Sequence, residues 1–389
     1  PLSFLNQRHA LILGLLLLLG LSKAWAQGAP IDPKATPETK NLFANLQRVA
    51  QQGIMFGHQD DLAYGVNWKY QAGRSDVHDV TGEYPGIFGW ELGHLELDKP
   101  MNLGSVPFDR IREYVQKVYT LGGVNTISWH FNNPEDPTKT AWVRGPGPKE
   151  PTIRHMLADP KLMKRYQSWL DRFAGFVTSL KGPKGEAIPI IFRPFHENSG
   201  SWFWWGRDEC TPEEYQKIWR YTVDYLRKKK KLHNLLYAYS TDRFNSREDY
   251  LERYPGDNYV DILGFDLYDR SSATADTARA FVRDARRMVE TVRDLGQEKH
   301  KVWALTETGL GRLPKADWWT QTLLPVVQQA GLSYVLVWRN SNARQFFAPY
   351  PGQASADDFK AFSQNPQVLF SQKTAAHRMY DPLPAQSGK

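Results

Sequence analysis

The stretch FRPFHENSGSWFWWG, residues 192–206, gathers an imidazole, a carboxyl group and three indoles. His196 and Glu197 stand just before tryptophans at positions 202, 204 and 205. Indole faces suit the apolar C–H faces of pyranose rings, although packing of at least one of these rings beneath a loop is the alternative. A second carboxyl group, Glu307, lies in ALTETGL. Glycoside hydrolysis needs one carboxylic acid and one carboxylate, so Glu197 and Glu307 are the candidate catalytic pair.

Motifs for other chemistries are incomplete. HENSG lacks the second histidine of a His-Glu-x-x-His zinc helix, because Gly200 stands there. His94, Glu96 and Asp98 are possible metal ligands, but no second ligand cluster accompanies them. The sequence has neither a Gly-x-Ser-x-Gly esterase elbow nor a phosphate-binding loop. We therefore expect no metal and no cofactor.

Eight short apolar runs are predicted strands. They lack clean alternation, which is typical of parallel sheets buried on both faces. The runs are Ile54–His58, Gly86–Trp90, Gly123–His130, Ile188–Phe195, Leu235–Tyr239, Val260–Leu267, Lys301–Thr306 and Leu332–Arg339. Helical patterns separate many of them, at Phe108–Leu121, Lys161–Leu180, Pro212–Leu232, Thr274–Leu295 and Ala316–Ala330.

Strands that alternate with helices imply right-handed crossovers and a parallel sheet. Eight strands predict a single α/β domain, a (β/α)8 TIM barrel over residues 27–389, with its active site at the C-terminal strand ends. An open doubly wound sheet is the alternative, but no Gly-x-Gly-x-x-Gly follows the first run.

Polar and aromatic residues end seven of the eight predicted strands. They are His58-Gln59-Asp60, Trp90-Glu91, Trp129-His130, His196-Glu197, Asp266 with Tyr268, Glu307, and Trp338-Arg339. In a barrel these ends meet at one mouth. One polar strand end is ordinary solvation, but seven that are rich in His, Trp, Tyr and carboxylates predict a site.

The first 26 residues have the pattern of a secretory signal. Arg8 precedes an apolar core, Leu11–Leu21, and Ala24-Trp25-Ala26 supplies small residues for cleavage. The core is shorter than the roughly 20 residues that span a bilayer, which disfavours a membrane anchor. We expect a secreted or periplasmic protein that is not attached to a membrane after signal removal.

Composition argues against a polyanionic partner. The net charge is +7, and the basic run Lys228–Lys231 ends a predicted helix, where cations are favoured. A nucleic-acid binder would show a clustered basic face. The single Cys210 excludes internal disulfides. We expect a monomer that binds no nucleic acid.

Six motifs together resemble a known family. The longest is RPFHENSGSWFWWG at 193–206, accompanied by GHQ at 57–59, WHF at 129–131, GFDLYD at 264–269, LTETG at 305–309 and VWRN at 337–340. They are similar to glycoside hydrolase family 26, the β-mannanases of a clan with catalytic glutamates on strands four and seven. The resemblance implies β-1,4-mannan as substrate, while some relatives cleave mixed-linkage β-glucan or β-1,3-xylan.

The resemblance also implies roles by position. Glu197 would be the acid/base, protonated at rest, and Glu307 the ionised nucleophile of a retaining mechanism, with carboxyl groups about 5–5.5 Å apart. Tyr268 would hydrogen-bond the nucleophile, with Asp266 close by. His196 stands where related families carry Asn and would help hold the sugar next to the cleavage point.

Substrate-binding positions follow from the same resemblance. Trp202 would be a platform on the leaving-group side, His130 and Trp142 would line the glycone side, and Arg339 would bind a more distal mannose. A secreted glycan-binding barrel without catalysis is the non-enzymatic alternative, and the presence of both glutamates argues against it.

A long segment after the third predicted strand bears on the mode of attack. No helix is predicted between Asn132 and about Pro160, whereas strand-to-helix loops have roughly 2–6 residues. The segment leaves the barrel beyond His130, so it could close the cleft after a few sugars, with Lys149 or Arg144 at the terminal mannose. Attack on chain ends, with release mainly of a disaccharide, is then expected. A disordered flap is the alternative.

Overall fold

The computed structural model describes residues 28–143, 151–270 and 275–384. Eight parallel strands of one nine-stranded sheet form a closed barrel, because the first of them pairs with the eighth. In chain order they are β1 (Ile54–Gln59), β2 (Ile87–Glu91), β3 (Val124–Ser128), β4 (Ile190–Arg193), β5 (Leu235–Thr241), β6 (Ile262–Asp269), β7 (Val302–Leu310) and β8 (Tyr334–Val337). The predicted (β/α)8 barrel is confirmed, and every predicted run overlaps one of these strands.

Eleven α-helices occur in the described ranges. They are α1 (Pro37–Val49), α2 (Asp76–Thr81), α3 (Phe108–Thr120), α4 (Thr152–Ala158), α5 (Pro160–Ser179), α6 (Pro212–Asp224), α7 (Arg247–Leu251), α8 (Ala275–Lys299), α9 (Leu324–Val327), α10 (Ala356–Gln364) and α11 (Ser371–Ala376). Two predicted helices contain π-helical parts, Tyr225–Lys229 after α6 and Trp319–Leu323 before α9. Across the described ranges, no helix is both long and apolar enough to cross a membrane.

Short elements complete the architecture. Tyr64–Gly65 and Trp68–Lys69 form an antiparallel pair after β1, and Val368–Leu369 pairs with β1 in parallel. Leu95–Leu97 and Asp257–Tyr259 are 3-10 turns. The predicted signal, residues 1–26, lies outside the described residues.

Several sequence-based boundaries differ from the structure, and two of them have a clear physical reason. The helix-free segment after β3 ends at Thr152, where α4 begins, and not near Pro160. Helix α4 has seven residues, too few for a clear helical period, and it is anchored by buried Ile153 and Met156. Strand β4 ends at Arg193 because the following Pro194 has no N–H for the ladder.

The N-terminal end of the barrel is sealed by apolar side chains. Met55, Ile191 and Leu236 belong to one buried cluster to which all eight strands contribute, and the cluster also includes Leu42 and Leu46 of α1. Helix α1 begins at a Thr36 cap with Pro37 in its first turn, so this plug is locally well defined. The sealed end leaves the C-terminal mouth as the place for polar side chains.

A β-bulge in β7 adjusts the mouth. Leu305 pairs with Phe265 of β6, but the next pair is Glu307 with Asp266, so Thr306 is an extra residue. The Thr306 hydroxyl donates to Asp266 Oδ1 at 2.6 Å. Bulges redirect the side chains that follow them, and this one sets Glu307 directly beside Asp266.

Candidate active site

Glu307 at the mouth is held by two donors from neighbouring strands. Tyr268 of β6 donates its hydroxyl to Glu307 Oε1 at 2.5 Å. Arg193 of β4 donates from Nη2 to Glu307 Oε2 at 2.5 Å. Burial and the Glu307 charge raise the pKa of Tyr268 well above its usual value, so Tyr268 remains a donor. These contacts stabilise Glu307 as a carboxylate in a fixed orientation.

Asp266 shares the guanidinium of Arg193. Arg193 Nη1 donates to Asp266 Oδ2 at 2.5 Å, while the Ser240 hydroxyl donates to Oδ1 at 2.8 Å. Arg193 is only 3% exposed, so its charge is compensated almost entirely by Asp266 and Glu307. Burial raises the pKa of Asp266, and the Arg193 charge opposes that rise. The network fixes Arg193, and therefore Glu307, from three strands.

Glu197 lies in a strained turn just beyond β4. Its φ is 53° and that of Phe195 is 47°, both in the left-handed region that non-glycine residues rarely adopt. The backbone N–H of Glu197 donates to Ser240 O at 2.9 Å, which holds the turn against β5. Trp202 donates from Nε1 to Glu197 Oε2 at 2.7 Å. The turn thus places the carboxyl group in the mouth under the indole of Trp202.

Glu197 and Glu307 differ in their surroundings. Burial, followed by the charges of Glu307 and Asp266, raises the pKa of Glu197 well above its ordinary value. Glu307, in contrast, faces the guanidinium of Arg193. This difference favours a protonated Glu197 beside an ionised Glu307, the pairing of roles on which two-carboxyl catalysis depends.

The carboxyl groups of Glu197, Asp266 and Glu307 form one cluster. One oxygen from each lies within 4.8 Å of the others. Three such oxygens are also suitable ligands for a hard cation. Here Arg193 already donates to two of them, so a guanidinium supplies the positive charge of the cluster.

His130 and His196 join the ends of β3 and β4. His130 Nε2 lies 3.0 Å from His196 Nε2, and both rings are buried. Trp142 stacks on His130 with ring centroids 5.0 Å apart and planes inclined by 5°. Trp142 itself is 43% exposed.

The three tryptophans after Glu197 have different positions. Trp202 is half-buried over Glu197, whereas Trp204 and Trp205 are fully buried against Phe131. Trp205 donates from Nε1 to His196 O at 2.8 Å. Two of the three rings therefore support the loop, and one faces the mouth.

Arg339 lies on the other side of the mouth. Its Nη1 is 3.2 Å from the Tyr64 hydroxyl, and Tyr64 donates to Asp60 Oδ2 at 2.5 Å. Burial raises the pKa of Asp60 to about 6, despite Tyr64 and Arg339. Arg339 and Tyr64 line a cavity of about 500 Å³ with Trp68 and Asn342. The predicted distal position is thus a polar cavity bounded by the ends of β1 and β8.

Comparison with known proteins agrees with this arrangement. Residues 31–302 match the family model described as Glycosyl hydrolase family 26.

The chain belongs to glycosyl hydrolase family 26.

Two curated relatives of this family 26 chain are mannan endo-1,4-beta-mannosidases. The chain is 33% identical over 367 residues to a mannan endo-1,4-beta-mannosidase of Bifidobacterium adolescentis. The aligned region covers 88% of this chain and 35% of that protein. It therefore spans about a third of that relative's length. A mannan endo-1,4-beta-mannosidase of Bacillus subtilis is 29% identical over 276 residues, 65% of this chain and 71% of that protein.

Solved structures agree in fold. A GH26 beta-mannanase from Bacteroides ovatus superimposes with a TM-score of 0.84 at 42% identity, covering 89% of this chain and 98% of that chain. A modular endo-beta-1,4-mannanase from Cellulomonas fimi superimposes with a TM-score of 0.79 at 34% identity, covering 89% of this chain and 78% of that chain. The predicted family is confirmed, and with it the prediction of a glycoside hydrolase at the level of the family.

Sequence reasoning did not select two charged residues of the site. Arg193 stands inside the quoted motif, four positions before Glu197. Its position at the end of β4 could have identified it as a residue of the site. Glu91 ends β2 and contacts His130 Nδ1 at 2.6 Å. Glu91 is among the strand ends that predict the mouth, but the sequence assigns it no role there. Arg144 and Lys149, predicted for the terminal sugar, lie outside the described residues.

Proposed function

We propose that this chain is a β-mannanase that hydrolyses β-1,4-mannosidic bonds with retention of configuration. The observation that carries the proposal is the asymmetric pair at the mouth. Glu197 favours its proton, Glu307 is paired with Arg193 and Tyr268, and oxygens of the two lie within 4.8 Å. Retaining glycosidases have carboxyl groups about 5–5.5 Å apart, whereas inverting enzymes need a wider gap for water.

In the first step the Glu307 carboxylate attacks the anomeric carbon, and the bond to the leaving oxygen breaks. Glu197 transfers its proton to that oxygen, so the shortened chain leaves as an alcohol. Trp202 Nε1 occupies Glu197 Oε2, which leaves Oε1 to carry the proton. Tyr268 and Arg193 hold the attacking carboxylate in line.

In the second step Glu197 acts as a base. Once Glu307 is esterified it carries no charge, so one cause of the raised pKa of Glu197 disappears. The ionised Glu197 then takes a proton from water as the water attacks the anomeric carbon. The ester bond to Glu307 breaks and the sugar is released with its original configuration.

The printed names of the relatives support mannan as the substrate. The test is release of reducing ends from β-1,4-mannan, mixed-linkage β-glucan and β-1,3-xylan in parallel assays. Activity confined to mannan is expected. Stronger activity on β-glucan or on xylan would make that polymer the proposed substrate instead of mannan. Inactivity on all three polymers would favour a glycan-binding barrel without catalysis.

Retention is tested separately by proton NMR of the first-formed product. A β-anomer that later mutarotates is expected from the two-step reaction. An α-anomer formed first would mean direct attack by water, and Glu307 would then be a base.

We also propose that the cleft is closed on the glycone side, so that chain ends are preferred and a disaccharide is the main product. The segment after β3 supports this, because its Trp142 stacks on His130, the residue that the family resemblance assigns to the glycone side, with ring centroids 5.0 Å apart. The measurement is viscosity against reducing ends on soluble galactomannan. A steep early fall in viscosity with few new ends would mean internal cleavage, and this part of the proposal would be dropped.

Export is a further proposal that rests on residues 1–26 alone. Arg8 and the apolar core Leu11–Leu21 support a cleaved signal, which would place the enzyme outside the cytoplasm. N-terminal sequencing of the enzyme from the culture medium or periplasm should begin at Gln27. Recovery of the chain only inside cells would contradict it.

A further inference from the structure

Asn340 is a fully buried residue of the motif VWRN, and the proposed reaction gives it no role. It directly follows Arg339, and none of its surface is exposed. Its side-chain oxygen accepts from the backbone N–H groups of Phe347 and Ala348, each at 2.9 Å. Its amide nitrogen donates to Asp76 Oδ2 at 2.8 Å and to Ala348 O at 2.9 Å. All four hydrogen-bonding positions of the amide are used, so its orientation is fixed.

The bond to Asp76 connects Asn340 to the antiparallel hairpin that follows β1, residues 64–69. Asp76 is 2% exposed and also accepts from Val66 N at 2.8 Å and from Trp68 Nε1 at 2.6 Å. One carboxyl group thus binds two groups of the hairpin and the side chain of Asn340. The position of the hairpin relative to the segment after β8 depends on this group.

The hairpin and the segment after β8 are also two walls of the cavity beside Arg339, which we call the distal cavity. Tyr64 lines it from the hairpin, and Arg339 lines it from the segment after β8. The walls are joined by Arg339 Nη1 with the Tyr64 hydroxyl at 3.2 Å, and by the buried bond from Asn340 to Asp76. The family resemblance places a more distal mannose at Arg339, so the bond from Asn340 helps to set the space that this sugar enters.

The backbone bonds of Asn340 connect it to the tyrosine that orients the nucleophile. The ring of Phe347 lies against Tyr268, with ring centroids 5.5 Å apart and planes inclined by 64°. A Cβ added to Gly309 would lie 2.5 Å from Phe347 Cδ1, so the ring also packs directly on β7. Tyr268 donates to Glu307. Phe347 therefore limits the movement of the group that holds the attacking carboxylate.

We propose that Asn340 is a positioning residue that couples the distal cavity to Glu307, because one buried amide fixes both the cavity wall and the ring against Tyr268. The inference rests on the proposed function and adds a residue on which both binding and chemistry depend. Loss of the bond to Asp76 affects the binding of a long substrate, whereas loss of the bonds to the backbone affects the rate of attack.

Two substitutions break one connection each. Asp76→Asn leaves one acceptor oxygen instead of two, so KM on mannotetraose should rise about tenfold, the effect of one hydrogen bond, with little change in kcat. Phe347→Leu removes the aromatic contact with Tyr268 and should lower kcat about two- to tenfold with little change in KM. An aryl mannoside has a single sugar and does not reach the distal cavity. Its kinetics should respond to Phe347→Leu but not to Asp76→Asn.

Asn340→Leu removes both connections with a side chain of similar size. It should raise KM on mannotetraose and lower kcat on both substrates. Asn125→Leu is the matched control, because Asn125 is also fully buried, accepts from Trp90 Nε1 at 2.8 Å and donates to Val115 O at 3.2 Å. Asn125 lies near the N-terminal end of β3, away from the mouth. The control should lose stability in urea unfolding but keep its kinetic constants.

Amide hydrogen exchange without substrate tests the coupling independently of the reaction. Exchange of the backbone N–H groups of Phe347 and Ala348 should be about tenfold faster in Asp76→Asn, because the side chain that binds both groups loses its contact with Asp76. Asn125→Leu should leave their exchange unchanged relative to the barrel strands. Unchanged exchange in Asp76→Asn would overturn the proposal even if Asn340→Leu does not fold. So would kinetic constants of Asn340→Leu that match those of the control. Failure of the mannanase proposal would be seen separately, in the polymer assays of the unsubstituted protein.

Discussion

Replacement of Glu197 by Gln isolates the proton that this residue carries. Glutamine keeps the side-chain volume at a position that is 9% exposed, and keeps an oxygen to accept from Trp202 Nε1. It fits the same left-handed turn, with φ 53°, at similar backbone cost. The variant should therefore fold normally, and a change in rate reports the lost acid.

The magnitude depends on the leaving group. General acid catalysis contributes about 10²–10⁴-fold, or roughly 3–5 kcal/mol of barrier. Glu197 is held protonated by burial and by the charges of Glu307 and Asp266, so a loss of about 10³-fold in kcat/KM on mannan is expected. An aryl mannoside whose phenolate leaves without a proton should lose less than about tenfold in kcat/KM. Its kcat should still fall, because the second step lacks a base.

The assay compares reducing ends from mannan with phenolate release from the aryl substrate, and urea unfolding checks the fold. Glu307→Gln is the control and should be inactive on both substrates, because no covalent intermediate can form. Equal losses of kcat/KM on mannan and on the aryl mannoside for Glu197→Gln would refute its assignment as the acid.

Three further substitutions probe the supports of the site. Tyr268→Phe removes the hydroxyl that donates to Glu307, so steady-state kinetics should show kcat lowered about 10- to 100-fold with little change in KM. An unchanged kcat would mean that this hydrogen bond does not contribute to catalysis. Arg193→Met leaves Asp266 and Glu307 buried without their cation and should cost about 3–5 kcal/mol in urea unfolding, so a loss below about 1 kcal/mol would contradict the pairing. Burial raises the pKa of Glu96 to about 7, so its neutral form stabilises the fold at low pH, and that stability is lost as pH rises from about 4.5 to 7. Urea unfolding at several pH values should show that the unsubstituted protein loses about 3 kcal/mol of unfolding free energy across this window relative to Glu96→Gln. If the unfolding free energies of the two proteins change in parallel with pH, the pKa of Glu96 is not raised.

The fold could be predicted from the sequence, and a candidate catalytic pair could be proposed from it, because the signals for both are local. Apolar runs such as Ile54–His58 and Val260–Leu267 identify buried parallel strands without any knowledge of their partners. A glutamate at the end of a predicted strand points to the mouth once a barrel is assumed. The long motif around Glu197 then indicated the family, which the comparison confirmed.

Tertiary structure decided which groups surround that pair. Arg193 meets Glu307 across 114 positions of the chain and Asp266 across 73, contacts that depend on the closure and register of the barrel. The bulge at Thr306 sets that register and leaves no local signature in LTETG.

The three tryptophans after Glu197 show the same division between what the local sequence indicates and what tertiary packing decides. Composition indicated a carbohydrate-binding surface, but only packing against Phe131 separates the buried Trp204 and Trp205 from Trp202 over Glu197. Residue type and spacing are encoded along the chain, whereas burial and hydrogen-bond partners depend on segments far away in sequence that become neighbours only when the barrel closes.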